Sequence, residues 1–235
     1  MPGYLTKQES IAVAGAADLQ IRSLLDRQQY SDPLGDAERA GISLAAWPIF
    51  GLLWPSGAHL AARMARRPVT VGESILEIGC GLALASLVGH RRGADITASD
   101  CHPLAGAFLV ENLRLNGLAA MKYRVGDWAA STPPGALNVQ GHFGLIMGSD
   151  VLYDRDASLA LAGFIGRHAP AQSEVWIVDP NRGNRAAFNR RMHDQGYALV
   201  DEHIATAATA GHAAYRGRLL VYRRGSGVGA APPLS

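Results

Sequence analysis

Five short apolar runs, at 74–78, 94–98, 122–125, 143–147 and 174–178, are separated by stretches long enough for a helix. Each run is followed within two residues by a glycine or an aspartate. Strands joined through helices pair in parallel, because the crossover helix carries the chain back to the edge at which the last strand began. Such strands are covered on both faces, so their sequence reads as nearly continuous apolar residues rather than as an alternation. The chain therefore belongs to the α/β class, with a mostly parallel sheet and helices on both faces. Two further runs, 198–205 and 215–222, follow each other without a helix. They predict an antiparallel hairpin at one edge and bring the sheet to seven strands.

The rest of the chain is organised around that core. Ser56 is a suitable N-cap for a helix that runs to Arg67-Pro68. Pro103 suits the first turn of a helix whose apolar face includes Phe108, Leu109 and Leu113 and which stops at Asn116-Gly117. Residues 1–40 read as an N-terminal extension with a hairpin near 10–25, and 41–224 as the main domain. Residues 225–235 are mostly Gly, Ala, Pro and Ser and read as a flexible tail.

Composition narrows the function classes. Hydrophobic residues make up 48% and charged residues 18%, which supplies a core and excludes disorder. A net charge of +2 gives no electrostatic footprint for nucleic acid. The uncharged stretch 40–62 is long enough to span a bilayer, but Pro48 and Pro55 with Gly41, Gly51 and Gly57 break it. It reads as a loop and helix on a soluble core, with no membrane association. Cys80 and Cys101 are the only cysteines, which excludes a disulfide scaffold and fits a reducing, cytoplasmic setting. The histidines show no metal-ligand spacing, and no Ser-His-Asp or Cys-His nucleophile is legible.

In an open parallel sheet, ligands bind beyond the carboxyl ends of the strands, where the strand order reverses. The residues gathered there are Glu77 and Gly79-Cys80-Gly81, then Ser99-Asp100, Asp127-Trp128 and Ser149-Asp150. Glycines let the backbone approach a ligand, and the next helix offers unpaired N–H groups. Asp100 lies about 20 residues beyond the first glycine, the spacing at which an acid meets ribose hydroxyls, although a helix cap is its simpler reading. Asp127-Trp128 offers an acceptor and a flat face to a purine. The sixth position of the glycine motif is Leu84, where a dinucleotide fingerprint asks for Gly or Ala. Glu77 is a poor neighbour for a diphosphate and a reasonable one for a cationic ligand such as a sulfonium. An NAD oxidoreductase is disfavoured on both counts.

Leu76-Glu77-Ile78-Gly79-Cys80-Gly81-Leu82-Ala83 resembles the first motif of the Rossmann-like, seven-stranded methyltransferases that use S-adenosyl-L-methionine, with Ala83 where a glycine is usual. Leu53-Trp54-Pro55-Ser56-Gly57, Asp127-Trp128 and Ser149-Asp150-Val151-Leu152-Tyr153 narrow the likeness to the lysine methyltransferase-like family. That family's bacterial members are often described as nicotinamide N-methyltransferases. The likeness covers roughly residues 45–222. It implies that Gly79, Cys80 and Gly81 line the methionine part of the cofactor and that Asp100 binds the ribose. Trp128, Asp127 and Trp54 would lie near the adenosyl group, with Ser149 beside the cofactor. Asp150 and Tyr153 would face the methyl acceptor. The expected function is N-methylation of a lysine on a protein partner. A nicotinamide-type small-molecule methyltransferase and a non-catalytic cofactor-binding module are the alternatives. The resemblance leaves the oligomeric state open. Asp179-Pro180-Asn181-Arg182 reads as a strand-end turn within reach of substrate.

Overall fold

A computed structural model of the chain describes residues 3–128, 137–153, 155–208 and 214–225. Two strands, β1 (Thr6–Ile11) and β2 (Leu19–Leu24), form a separate antiparallel hairpin. A short helix, α1 (Asp36–Arg39), and a 3-10 turn (Trp47–Gly51) lead into α2 (Pro55–Arg66). Then follow β3 (Ser74–Ile78), α3 (Leu84–Arg91), β4 (Asp95–Asp100), α4 (Ala105–Leu115), β5 (Lys122–Val125) and β6 (Leu145–Ser149). The chain continues through α5 (Arg155–His168), β7 (Ser173–Asp179), α6 (Arg185–Asp194), β8 (Ala198–Thr206) and β9 (Tyr215–Arg224).

The seven strands β3 to β9 form one sheet in the order β5-β4-β3-β6-β7-β9-β8. The first five run parallel, and β9 pairs antiparallel with both β7 and β8. The α/β class, the seven strands and the antiparallel edge hairpin are as the sequence predicts. Burial follows the two-residue period of a strand. Trp176 and Val178 of β7 enter the core on the α2–α3–α4 face with Leu60, Leu87 and Leu109. Val175 and Ile177 enter the core on the α5–α6 face with Leu161, Ile165 and Phe188. Among the described residues, no helix is long and apolar enough to cross a membrane. Residues 226–235, which make up nearly all of the expected tail, lie outside the described residues.

Element boundaries differ from expectation for local reasons. Helix α2 starts at Pro55, with Trp54 as N-cap, and no side chain caps it. Ser56 is not the cap; its hydroxyl is buried against the hydroxyl of Tyr215 at 2.8 Å. Helix α3 starts only at Leu84, because Ala83 takes a left-handed conformation, with φ 58°. Pro103 precedes α4 rather than opening it. Strand β6 extends to Ser149, and the Phe143 amide bonds instead to the carbonyl of His168 at 2.8 Å.

The hairpin docks through its backbone. An edge strand leaves alternate N–H and C=O groups unpaired, and two asparagines of α4 and its C-cap meet them. The Asn112 carbonyl accepts the Arg22 amide at 2.8 Å, and Asn116 accepts the Gln20 amide at 3.0 Å. Asn116 also donates to the Gln20 carbonyl at 2.8 Å. The Asn112 side chain is fully buried. Removing its oxygen strands a buried N–H, which costs about 1–3 kcal/mol. Asn112→Ala is therefore expected to lower stability by that amount in urea unfolding, and the hairpin should become the first site of proteolytic cleavage. An unchanged urea midpoint would count against this docking.

Candidate functional site

The chain leaves β3 in one direction to β4 and returns on its other side as β6, so the strand order reverses between β3 and β6. Ligands of open α/β sheets bind in the crevice this leaves at the carboxyl ends. The segments after β3, β4, β5, β6 and β7 open onto that rim. Because β9 runs the other way, its first residues also reach it: Arg218 pairs with Asp179, the last residue of β7.

The turn from β3 into α3 requires its glycines. Gly79 and Gly81 have φ of 55° and 50°, a region that side chains strongly disfavour. A methyl group at Gly81 would lie 2.8 Å from the carbonyl oxygen of Phe50, and one at Gly79 would lie 3.0 Å from Val151 Cγ1. Two buried carboxylates tie the turn down. Asp100 accepts the Gly81 amide at 2.8 Å and the His102 amide at 2.9 Å. Glu77 accepts both the amide of Ser86 at 2.8 Å and its hydroxyl at 2.5 Å. Ser86 is the third residue of α3, so Glu77 supplies the cap that Ala83 cannot. Cys80 is buried, and its amide continues the ladder to the Ser99 carbonyl at 2.9 Å. Burial pushes the Asp100 carboxyl up and the Glu77 carboxyl up to about 7, with the Asp100 charge adding to the effect on Glu77. Asp100 is thus no cap for α4, whose start has no side-chain cap. Glu77 Oε2 is committed to Ser86 rather than turned to the crevice.

Trp128 packs against the α5–α6 core, with its ring 3.5 Å from where a Gly79 methyl would be. Its indole N–H is buried and has no acceptor among the described residues. Asp127 beside it is partly exposed. Trp54 lies on the other side, at the start of α2. Its indole donates to the Ile49 carbonyl at 2.9 Å, and the Arg27 guanidinium sits 5.0 Å over its ring. The structure therefore sets Trp128 close to the glycine turn, and Trp54 on the α2 side of the sheet. Ser149 closes β6 beneath the first turn of α2, 3.7 Å from the place a Gly57 methyl would take.

Asp150 follows in a left-handed conformation, with φ 58°, and its amide is bonded to the Val178 carbonyl at 3.0 Å. Its carboxylate accepts Arg182 Nη2 at 3.0 Å. Arg182 arrives on the turn after β7. There Asn181 has φ 63°, and fully buried Asp179 accepts the Arg182 amide at 2.8 Å. The second oxygen of Asp179 is buried without a partner among the described residues, and burial pushes this carboxyl up. Tyr215, hydrogen-bonded to Ser56 and 4.4 Å from the His59 ring, completes this wall; burial pushes its hydroxyl up to about 12. Tyr153 stands at the edge, 59% exposed. Sequence reasoning had not assigned Ser56 or Tyr215 to the site, and it placed the Asp179–Arg182 turn within reach of substrate without pairing Arg182 with Asp150.

The family model described as lysine methyltransferase matches residues 49–193. An electron transfer flavoprotein beta subunit lysine methyltransferase from Mus musculus is 29% identical over 210 residues, covering 86% of this chain and 75% of the relative. Among solved structures, a ribosomal protein L11 methylase from Lactobacillus delbrueckii subsp. bulgaricus superposes with TM-score 0.56 at 16% identity. That match covers 74% of this chain and 80% of the other. A magnesium protoporphyrin IX methyltransferase from Synechocystis, solved with bound SAM, superposes with TM-score 0.52 at 17% identity and covers 72% and 76%.

Glu77 gives a pH signature. Its ordinary value is 4.5, and the fold holds it at about 7. Between these values the folded chain keeps a proton that the unfolded chain has released, so stability falls as pH rises through this window and levels off above it. At about 1.4 kcal/mol per pH unit, the loss approaches roughly 3 kcal/mol. Glu77→Gln keeps an acceptor for Ser86 and has no proton to lose. Urea unfolding at pH 5 and pH 8 should show wild type losing that amount relative to Glu77→Gln, and an unchanged difference would overturn the assignment.

Proposed function

The chain belongs to the lysine methyltransferase family and is an S-adenosylmethionine-dependent methyltransferase, and from that premise we propose that it methylates a lysine side chain of a partner protein in a reducing, cytoplasmic setting. The observation that carries this reading is the open acceptor wall. Asp150 stands at the β6 end of the crevice, and Tyr153 beside it is exposed to solvent. A rim of this kind admits a side chain presented by a large surface. The Mus musculus relative is named for a protein substrate, which supports the same reading.

The residues of the crevice fit the cofactor. The backbone at Gly79, Cys80 and Gly81 is bare enough for the methionine end, and α3 presents its first amides nearby. Asp100 keeps carboxylate lone pairs for ribose hydroxyls beyond its two backbone bonds. Asp127 and Trp128 suit the adenine side, where the buried indole N–H of Trp128 has no acceptor among the described residues. Ser149 flanks the charged centre, Glu77 acts behind the turn by holding Ser86, and Trp54 closes the α2 side. When bound, the sulfonium supplies an activated methyl: the amine lone pair forms the N–C bond as the C–S pair returns to sulfur.

The protein's own task is to hold a neutral amine in line. A lysine with pKa near 10.4 is neutral in about one molecule in 2,500 at pH 7, so exposing its lone pair costs about 4–5 kcal/mol. Asp150 accepts an N–H bond from the amine and aims the lone pair at the methyl carbon, a contribution to orientation. Tyr153 forms the wall along which the aliphatic stem lies.

Incubation with labelled S-adenosylmethionine, a soluble proteome and a panel of small amines including nicotinamide tests the reading. Label is expected in protein. Label confined to a small amine would overturn the lysine assignment in favour of a nicotinamide-type enzyme, and no transfer at all would favour a binding module.

Two variants separate binding from chemistry. Asp100→Ala should weaken S-adenosylhomocysteine binding about 10- to 150-fold in calorimetry, the worth of charged hydrogen bonds of roughly 1.5–3 kcal/mol. Unchanged affinity would reduce Asp100 to a loop anchor. Asp150→Asn should leave that affinity within about twofold while slowing single-turnover transfer at least tenfold, because its contact is realised in the transition state. An unaffected rate would remove Asp150 from the mechanism.

A further inference from the structure

We propose that Arg182 is a positioning residue that offsets the charge of Asp150, so that Asp150 can orient the acceptor amine without holding it as an ammonium ion. The inference rests on the acceptor role given to Asp150 above. A bare carboxylate beside an amine raises the amine's pKa by 1–3 units, which deepens the cost of reaching the neutral nucleophile. An aspartate placed only to accept a hydrogen bond therefore works against the reaction it serves. The guanidinium at 3.0 Å from Asp150 Oδ1 relieves that conflict, since it occupies one oxygen and leaves the other for the amine.

The geometry around the pair is costly for what it contributes to stability. Arg182 is 38% exposed and Asp150 13% exposed, and an ion pair that open to solvent contributes little to stability. To deliver it, the chain places Asp150 and Asn181 in left-handed conformations and buries Asp179 with one oxygen unpartnered among the described residues. Asp and Asn tolerate that region better than other side chains, so the cost lies mainly in desolvating Asp179. Asp179 takes the Arg182 backbone amide, which fixes the turn and aims the guanidinium at Asp150. The arrangement is thus explained by its effect at the acceptor site.

The charged and titratable groups facing Asp150 come from four elements. Asp179 and Arg182 belong to the end of β7, and Arg185, whose Nε is 3.8 Å from Asp179, belongs to α6. Tyr215 of β9 senses the charges of Asp150, Asp179 and Arg182, and His59 of α2 stacks on it. Arg185 is held by Asp179, and the Tyr215 hydroxyl stays neutral through pH 10. Among the described residues, this leaves Arg182 as the cation that sets the charge at Asp150.

The test is the pH profile of single-turnover methyl transfer, with labelled S-adenosylmethionine and soluble proteome as acceptor, followed on the protein band that wild type labels. The rate climbs with pH as the bound amine loses its proton. In Arg182→Gln this limb should move up by about one pH unit, as expected for uncovering one neighbouring carboxylate, and Arg182→Lys should return most of the shift. In an Asp150→Asn background, Arg182→Gln should not move the limb further. Calorimetry with S-adenosylhomocysteine should give affinities within about twofold of wild type for the Arg182 variants, showing an intact fold and cofactor site. An unmoved limb in Arg182→Gln, or an equal shift in the Asp150→Asn background, would overturn the proposal. A wild type that labels no protein, or an Asp150→Asn variant with undiminished rate, overturns the acceptor reading itself and the proposal with it.

Discussion

The crevice depends on two buried carboxylates that hold one five-residue turn. Gly79, Gly81 and Ala83 all sit at positive φ, so the turn has little intrinsic preference for its shape. Glu77 bonds the first turn of α3, and Asp100 bonds the middle of the loop at Gly81. Hydrogen bonds to charged acceptors are worth about 1.5–3 kcal/mol each, enough to select one conformation among several of similar energy. With the turn fixed, α3 meets α2 closely. Gly89 lies where a methyl would come 2.3 Å from Ile96 and 3.2 Å from Met64. That contact seats the C-terminal half of α2, while the start of the helix, with Ser56 and Gly57, lies over the end of β6.

The same anchoring explains why two acids stand buried beneath the glycine turn. Both acids are desolvated, and the charge of Asp100 adds to the upward push on Glu77. Such a pair is expensive without compensation. Backbone and hydroxyl donors offset part of the cost, and a cation bound nearby would offset more. The site is thus electrostatically primed for a positively charged ligand without carrying an excess of exposed acidic side chains.

What the sequence made legible is the part fixed by short-range rules. Runs apolar on both faces announce a parallel sheet, and Gly79-Cys80-Gly81 after the first of them marks the crevice. The same short-range pattern, read alone, also misled. Ser56 has the composition of a helix cap, but a proline at the first helical position already satisfies that end, which frees Ser56 for Tyr215. Asp100 has the position of a cap for α4, yet the nearer amides at Gly81 and His102 compete for it and win. Arg182 was not paired with Asp150 because that partner lies on a different strand end. A turn signal gives the direction of the chain and not the side chain it will meet.

Cofactor side and acceptor side differ in how their contacts span the chain. Glu77 meets Ser86 nine residues on, and Asp100 meets Gly81 nineteen residues back. On the acceptor side, Asp150 meets Arg182 across 32 residues and Ser56 meets Tyr215 across 159. The second pairing exists only because β9 enters antiparallel and brings its first residue back to the rim of an otherwise parallel sheet. The local contacts belong to one βαβ unit and are selected together with the turn they hold. The distant ones are made by segments that the cofactor turn does not constrain: the start of α2, the turn after β7 and the first residues of β9. Substitutions there alter the acceptor wall while the glycine turn, its two carboxylates and α3 stay in place. One cofactor crevice can in this way serve different acceptors, because its anchoring is local and its specificity is not.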